Sequence, residues 1–193
     1  MVTTTRLTTE QIQGFQSRIH GDVIQPGDAN YDEARTLHNV GIDKRPALIA
    51  RCVDAADVIA SVRFAREADL EIAVRGGGHN VSGNAMSDGG LTIDLSRINN
   101  VHVDPVRRTA RVGGGALWLD VDHATHAFGL ATPTGIIGTT GVGGLTLGGG
   151  FGHLSRSLGL ACDNLISADV VTASGELVTA SAQEHPDLYW ALR

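Results

Sequence analysis

A histidine closing a run of three glycines is the first place in this chain where chemistry could be done. Val74-Arg75-Gly76-Gly77-Gly78-His79-Asn80 follows an apolar, β-leaning segment, Glu71-Ile72-Ala73-Val74. Three glycines let the backbone turn tightly and approach a ligand with no Cβ in the way. Successive N–H groups in such a loop can form an anion nest suited to a pyrophosphate. His79 would then sit within reach of whatever that phosphate carries. A neutral imidazole is a nucleophile, but a histidine ending a glycine loop is more often a hydrogen-bonding residue. On the residues alone both roles stay open.

The other glycines have a similar setting. Of 25, 20 fall between Gly76 and Gly159, in clusters at Gly76-Gly77-Gly78, Gly113-Gly114-Gly115, Gly141-Val142-Gly143-Gly144 and Gly148-Gly149-Gly150-Phe151-Gly152. Apolar segments such as Leu91-Thr92-Ile93-Asp94-Leu95 separate them, which a flexible linker would not show.

Several elements must position these loops. Thr8 or Thr9 caps a first helix over 8–20. Pro26-Gly27-Asp28 is a turn, and Tyr31 to Arg35 begins a short segment. Pro46 to Val53 is a strand, and Asp54 caps a helix to about Glu67 with Val58, Ile59, Val62 and Ala65 on one face. With Glu71–Val74 as the next strand, 46–74 is a β-α-β unit. Short strands follow at Leu91–Leu95, Val101–Val103 and Thr109–Val112. A helix then runs from about Leu117 to Phe128, stopped by Gly129. Leu165–Thr172 and Glu176–Thr179 form a hairpin around Ala173-Ser174-Gly175, and a last helix begins at Asp187. The glycine-rich stretch 135–152 shows no clean strand–turn–helix. The expected organisation is two successive α+β lobes meeting near Asn99–Asp104, with the glycine loops facing the groove between them.

Composition narrows the function classes. The 193 residues carry a formal net charge of −6, and there is no run of Lys or Arg, so a nucleic-acid surface is not expected. No apolar stretch approaches the roughly 20 residues of a membrane helix, and Met1 to Leu7 has no apolar signal core. The chain is therefore read as soluble and cytoplasmic. Cys52 and Cys162 are far apart and outside any metal-ligand spacing, and both read as small buried hydrophobes. No HxxxH frames a glutamate, so no metal is expected, and His123 and His126 read as helix-edge residues.

Nucleotide folds differ in where they place their glycines. A P-loop needs GxxxxGK[ST], and no glycine here precedes Lys-Ser or Lys-Thr. A Rossmann fingerprint lies between the first strand and helix of a β-α-β unit. Gly76-Gly77-Gly78 follows the second strand of its unit, which disfavours a nicotinamide dehydrogenase.

The ordered set Val74–Asn80, Asp94-Leu95-Ser96, Gly113-Gly114-Gly115, Thr140–Gly152, Gly159-Leu160 and Asp163-Asn164 resembles the flavin-binding half of FAD-linked oxidases. It is most similar to the berberine-bridge-enzyme-like and 6-hydroxynicotine-oxidase-like branch of the vanillyl-alcohol-oxidase superfamily, over about residues 40–193. The resemblance implies an α+β PCMH-type FAD-binding domain of two α+β subdomains, incomplete at the C-terminus. The implied division is an N-terminal helical segment (1–39), subdomain 1 (40–103) and a truncated subdomain 2 (104–193).

By motif position His79 takes the family's covalent link to the flavin 8α-methyl carbon. The cysteine that holds flavin C6 in many relatives falls at Ile137, so no 6-S-cysteinyl link is expected. Arg75, Gly76, Gly77, Gly78, His79, Asn80, Ser82 and Gly83 would cradle the pyrophosphate. Pro133, Thr134, Gly135, Thr139, Gly141, Gly143 and Gly144 would line the ring and ribitol. Gly148 to Gly150, Gly149 among the cofactor-binding set, would let backbone approach the cofactor or pack the lobes. Val142 stands where relatives gate oxygen, and its small side chain favours an oxidase. His38 stands where relatives often carry tryptophan and is read as a packing residue.

The implied activity is hydride removal from a C–H of an alcohol, amine or sugar, with electrons passed to oxygen. The catalytic base and the substrate domain would lie beyond Arg193, so the alternative is an inactive, truncated flavin-binding module.

Overall fold

The computed structural model describes residues 7–193. The first helix, α1 (Thr9–Gln16), starts on a reciprocal cap. Thr8 Oγ1 accepts from the Gln11 N–H, and Gln11 Oε1 accepts from the Thr8 N–H at 2.8 Å. Each bond satisfies a donor that the first helical turn leaves free. The sequence reading did not anticipate the next element, β1 (Asp22–Ile24), a three-residue strand too short for a clear alternation. A single turn, α2 (Tyr31–Ala34), precedes β2 (Leu48–Arg51).

The helix α3 (Ala55–Glu67) is capped where expected, with Asp54 Oδ1 accepting from the Asp57 N–H at 2.9 Å. Its buried face differs from the expected stripe: Val62 and Ala65 are buried, but Phe64, Ser61 and Asp57 join them, while Val58 and Ile59 are half-buried. Asp57 is inside because its carboxylate has work there. It accepts backbone N–H bonds from His20 (2.7 Å), Gly21 (3.0 Å) and Val53 (3.0 Å). A buried carboxylate is tolerable when its lone pairs are filled in this way. Asp57 thereby pins the connection after α1 to the start of α3.

The strands β3 (Ile72–Arg75) and β4 (Leu91–Asp94) complete a four-stranded sheet of order β1-β2-β4-β3. β2 and β3 are parallel as the β-α-β unit requires, but β4 lies between them and pairs with both. Every residue of β4 is buried, as expected for a central strand covered on both faces. Beneath it, Phe15 of α1 and Phe64 of α3 stack with ring centroids 4.2 Å apart, in a core that includes Leu48, Ala50, Leu91 and Ile93.

The second half is built from two hairpins and short helices. β5 (Val101–Asp104) pairs with β6 (Thr109–Val112), and β7 (Ser167–Val171) with β8 (Leu177–Ser181). Helix α4 (Trp118–His126) packs on β5, and its Trp118 and Val121 form a small core with Ala161. The glycine-rich stretch holds a helix after all, α5 (Val142–Leu147), followed by α6 (Ser155–Leu158). Helix α7 (Pro186–Ala191) ends the set. The halves are joined by arginines: Arg63 and Arg66 of α3 donate to the Gly175 and Ser174 carbonyls of the β7–β8 turn.

Candidate functional site

The parallel strands β2, β3 and β4 end level, with Arg51, Asp94 and Arg75 side by side across the sheet. The carboxyl ends of such strands are where open α/β sheets carry ligands. Arg51 Nε donates to Asp94 Oδ2 at 3.2 Å, and Asp94 Oδ1 accepts the Ser96 N–H at 2.9 Å. The glycine loop 76–78 leaves β3 from this edge. Behind it, the Arg75 guanidinium donates to the Ala34 carbonyl at the end of α2. Its Nε is buried without a partner. Arg75 thus supports the loop from behind.

The loop meets two others. A Cβ on Gly77 would lie 2.3 Å from the Gly141 nitrogen, and one on Gly141 would lie 2.2 Å from the Gly77 nitrogen. The two backbones touch, and only glycine allows it on either side. The Gly114 carbonyl completes the group, 3.2 Å from where a Gly76 Cβ would be and 3.1 Å from the corresponding point on Gly143. Three clusters distant in the chain therefore converge at one place. Each is also anchored: Trp118 N–H donates to Thr140 O (3.0 Å), Val142 N–H to Ala116 O (2.9 Å) and His38 N–H to Gly78 O (3.2 Å).

His79 lies beside this convergence, against the turn that leads into Gly141. Its Nε2 is 3.3 Å from Thr139 Oγ1 and its Nδ1 is 3.5 Å from Thr140 Oγ1. One face is stacked on the His38 ring, with centroids 4.0 Å apart and planes within 12°. Burial holds the His79 imidazole below its ordinary pKa, the charge of His38 acts in the same direction, and the hydrogen bond at Thr139 opposes both. A half-buried histidine shifted this way is neutral at neutral pH, which is the nucleophilic form.

Other predicted residues are placed around this centre. Ile137 lies in the same turn as Thr139 and Thr140, its carbonyl accepting the Thr140 N–H at 3.2 Å, and it offers an exposed aliphatic chain with no nucleophile. Asn80, Ser82 and Gly83 form the next turn. Gly83 packs on Ile42, and the carbonyls of Gly83 and Met86 are held by Lys44 Nζ at 2.9 and 3.0 Å. Pro133, Thr134 and Gly135 run beside Gly152, whose Cβ position is 2.0 Å from Thr134 O. The Gly149 and Gly150 carbonyls accept from Cys162 and Ala161, so this cluster ties α5 to the segment after α6. Val142 is half-buried against the Trp118 core. Gly144 is different, because a Cβ there would meet nothing within 4 Å.

A cluster of His20, Asp54 and Asp57 lies elsewhere, at the N-terminus of α3. The backbone bonds already described fill the Asp57 carboxylate, and Asp54 is committed to the helix cap.

Sequence reasoning left Thr140 and Lys44 out of the site and read His38 as a packing residue without its partner. Thr140 had a signal, since it adjoins Thr139 and opens the Gly141-Val142-Gly143-Gly144 run. His38 had none, because its contact with His79 crosses 41 positions and is made by packing alone.

Residues 46–181 match the model of a family described as FAD binding domain. The chain belongs to that family. Relatives include (R)-6-hydroxynicotine oxidase of Paenarthrobacter nicotinovorans, 44% identical over 175 residues, which are 91% of this chain and 38% of that protein. The FAD-linked oxidoreductase pgmH of Aspergillus terreus is 40% identical over 97% of this chain and 39% of its own length. Among solved structures, 6-hydroxy-D-nicotine oxidase from Arthrobacter nicotinovorans superposes with a TM-score of 0.91 at 42% identity, over 97% of this chain and 40% of that one. Glucooligosaccharide oxidase from Acremonium strictum, which carries a 6-S-cysteinyl, 8α-N1-histidyl FAD, gives 0.86 at 32% identity over 95% of this chain and 39% of that one. The fold is thus the PCMH-type α+β fold of berberine-bridge-enzyme-like flavoproteins. The chain spans about 40% of the length of these relatives. No helix among the described residues is long and apolar enough to cross a membrane.

The residues fit a flavin nucleotide. The convergence presents a neutral imidazole at a loop end, glycine backbone around it and an open face at Gly144.

Proposed function

We propose that this chain is the FAD-binding part of a flavin-dependent oxidase, with FAD attached through His79 alone. The full enzyme would take a hydride from a C–H of an alcohol, amine or sugar and pass the electrons to oxygen. The observation that carries the reading is His79 at the end of loop 76–78, which touches loops 113–115 and 141–144, with its ring nitrogens beside Thr139 and Thr140. When bound, FAD supplies an acceptor for two electrons.

The chain's own residues do the rest. Arg75 and the backbone of Gly76–Gly78 fix the loop that faces the pyrophosphate, and Asn80, Ser82 and Gly83 continue it. The turn that carries Thr139 holds the His79 ring, while Pro133, Thr134, Gly135, Gly141, Val142, Gly143, Gly144 and Gly149 border the isoalloxazine and ribitol. Subdomain 1 (40–103) supplies the histidine, and subdomain 2 (104–193) supplies the turn that orients it. Ile137, occupying the position of the second attachment residue, supports a single link. The relatives named for oxidation of hydroxynicotine and of oligosaccharides support a small-molecule substrate.

The test is an intact mass of the purified chain beside His79→Ala, with visible absorbance of the acid-precipitated pellets. Wild type heavier by one FAD and yellow in the pellet, with the variant neither, is the expected result. Covalent flavin surviving in the variant would overturn the assignment.

A further inference from the structure

The proposed function leaves one contact at the site without a role, the face-to-face pair of His38 and His79. His38 lies between α2 and β2, where nothing in its surroundings in the sequence suggests a partner. Its ring covers one face of His79 at 4.0 Å, and its backbone N–H holds the carbonyl of Gly78, the residue just before His79. The edge of His79 is held by Thr139 and Thr140 through its two ring nitrogens. The imidazole is thus fixed in plane by a ring and in rotation by two hydroxyls. An attacking nitrogen held this way has little freedom to lose before reaction. Stacked rings at this distance cannot hydrogen-bond to each other, so His38 is not placed to remove the His79 proton, which leaves to solvent from the half-buried ring.

We propose that His38 is a positioning residue for flavin attachment, clamping the His79 imidazole against the Thr139–Thr140 turn. The inference rests on the reading of His79 as the attachment site. In the attachment step a bond forms between a His79 ring nitrogen and the flavin 8α carbon. The imidazole N–H and one methyl C–H are lost. Two electrons enter the flavin and are passed to dioxygen, which takes up two protons to give hydrogen peroxide. The groups facing His79 are His38 from the segment after α2 and Thr139 and Thr140 from the turn before α5. Of these, His38 is the one whose charge acts on the His79 equilibrium.

The experiment uses the 193-residue chain prepared free of flavin, with His38→Ala, His38→Trp and His79→Ala beside wild type. Covalent loading after FAD addition is followed by intact mass as a function of time and pH. Noncovalent binding is read from quenching of flavin fluorescence. The His79 titration is read by NMR before any flavin is added. For His38→Ala we expect loading slowed by about tenfold or more with FAD affinity unchanged. For His38→Trp, which keeps a stacking face without a charge, we expect the His79 midpoint to move up. The pH at which loading becomes fast should rise with it. His38→Ala loading as fast as wild type would overturn the proposal. So would a His79 midpoint unmoved in His38→Trp, a readout that stands even if His38→Ala does not fold. In either case covalent mass on wild type and none on His79→Ala would leave the attachment reading intact. Wild type with no covalent flavin would overturn both.

Discussion

Replacing Gly77 by alanine tests whether the site is held together by the contact between two glycine backbones. The new Cβ would lie 2.3 Å from the Gly141 nitrogen and 2.6 Å from its Cα. Ordinary carbon contacts begin near 3.5 Å, so the loops must part by roughly 1 Å. Neither can swing away freely. His38 and β3 hold one side, and the Trp118–Thr140 and Val142–Ala116 bonds hold the other. Overpacking that cannot relax costs about 1–3 kcal/mol, which for a chain of this size lowers Tm by roughly 4–8 °C at the middle of that range. The same displacement carries Thr139 and Thr140 away from His79, and a misplacement near 1 Å can slow a reaction by about a hundredfold. Thermal melting and time-resolved covalent loading of FAD would measure the two effects.

Gly144→Ala is the matched comparison. It lies in α5, where its Cβ meets nothing, and alanine favours a helix over glycine by about 0.5–1 kcal/mol. That variant should melt at or above the wild-type temperature while binding FAD more weakly if, as proposed, Gly144 borders the cofactor. A Gly77→Ala chain that melts and loads like wild type would refute the reasoning.

Asp57→Ala should lower the unfolding free energy by about 1–3 kcal/mol in urea titration, since three part-buried backbone N–H groups lose the buried carboxylate that accepts them. Asp54→Ala should cost about 1 kcal/mol for the lost α3 cap. The Asp57 N–H chiefly holds the Asp54 carboxyl below its usual range. The advantage of wild type over Asp54→Ala is therefore full above the ordinary carboxylate pKa and disappears as pH falls through the lowered value. Unfolding curves of the two that stay apart in strong acid would contradict this. Phe15→Ala removes a fully buried ring stacked on Phe64 and should cost about 3–5 kcal/mol. Burial pushes the Cys52 thiol up to about 12, so iodoacetamide at pH 8 should label it only after unfolding; rapid labelling of the native chain at Cys52, located by peptide mass, would be evidence against its burial.

In both halves the elements with local signals were legible in the sequence, including β5, β6, α4, the β7–β8 hairpin and α7 in the second. Asp54, the apolar residues after it and the strand segments on either side carry local signals, and the structure has those elements within a few residues. The insertion of β4 between β2 and β3 is a nonlocal choice that no periodicity records. The β1 strand is three residues long and was invisible for that reason. Helix α5 was hidden because Val142-Gly143-Gly144-Leu145-Thr146-Leu147 contains two glycines, which helices disfavour. Its Gly148 end closes on the carbonyls of Gly144, Leu145 and Thr146, and Val142 and Leu145 pack against the Trp118 core. Tertiary packing overrides propensity there. At the site, Gly77, His79, Thr139 and Gly141 were readable as a motif, whereas the His38 stack and the support of the loop by Arg75 from behind are products of the fold.

The glycine clusters also show why a count of glycines says less than their positions. Gly77 and Gly141 fill space that any side chain would need, so their role is to let two loops touch. Gly144, three residues from Gly141, leaves space open, so its role lies toward what approaches from outside. In sequence the two kinds are identical, and both fall within the four-residue run Gly141-Val142-Gly143-Gly144. The distinction explains how a glycine-rich segment can be rigid. Each of its loops is tied by backbone bonds to Ala116, Thr140 or Gly78, and flexibility that glycine would lend to a free chain is removed by contacts that only glycine permits. A site assembled this way holds His79 by packing made before any ligand arrives, so under the proposed assignment FAD would meet loops that are already ordered.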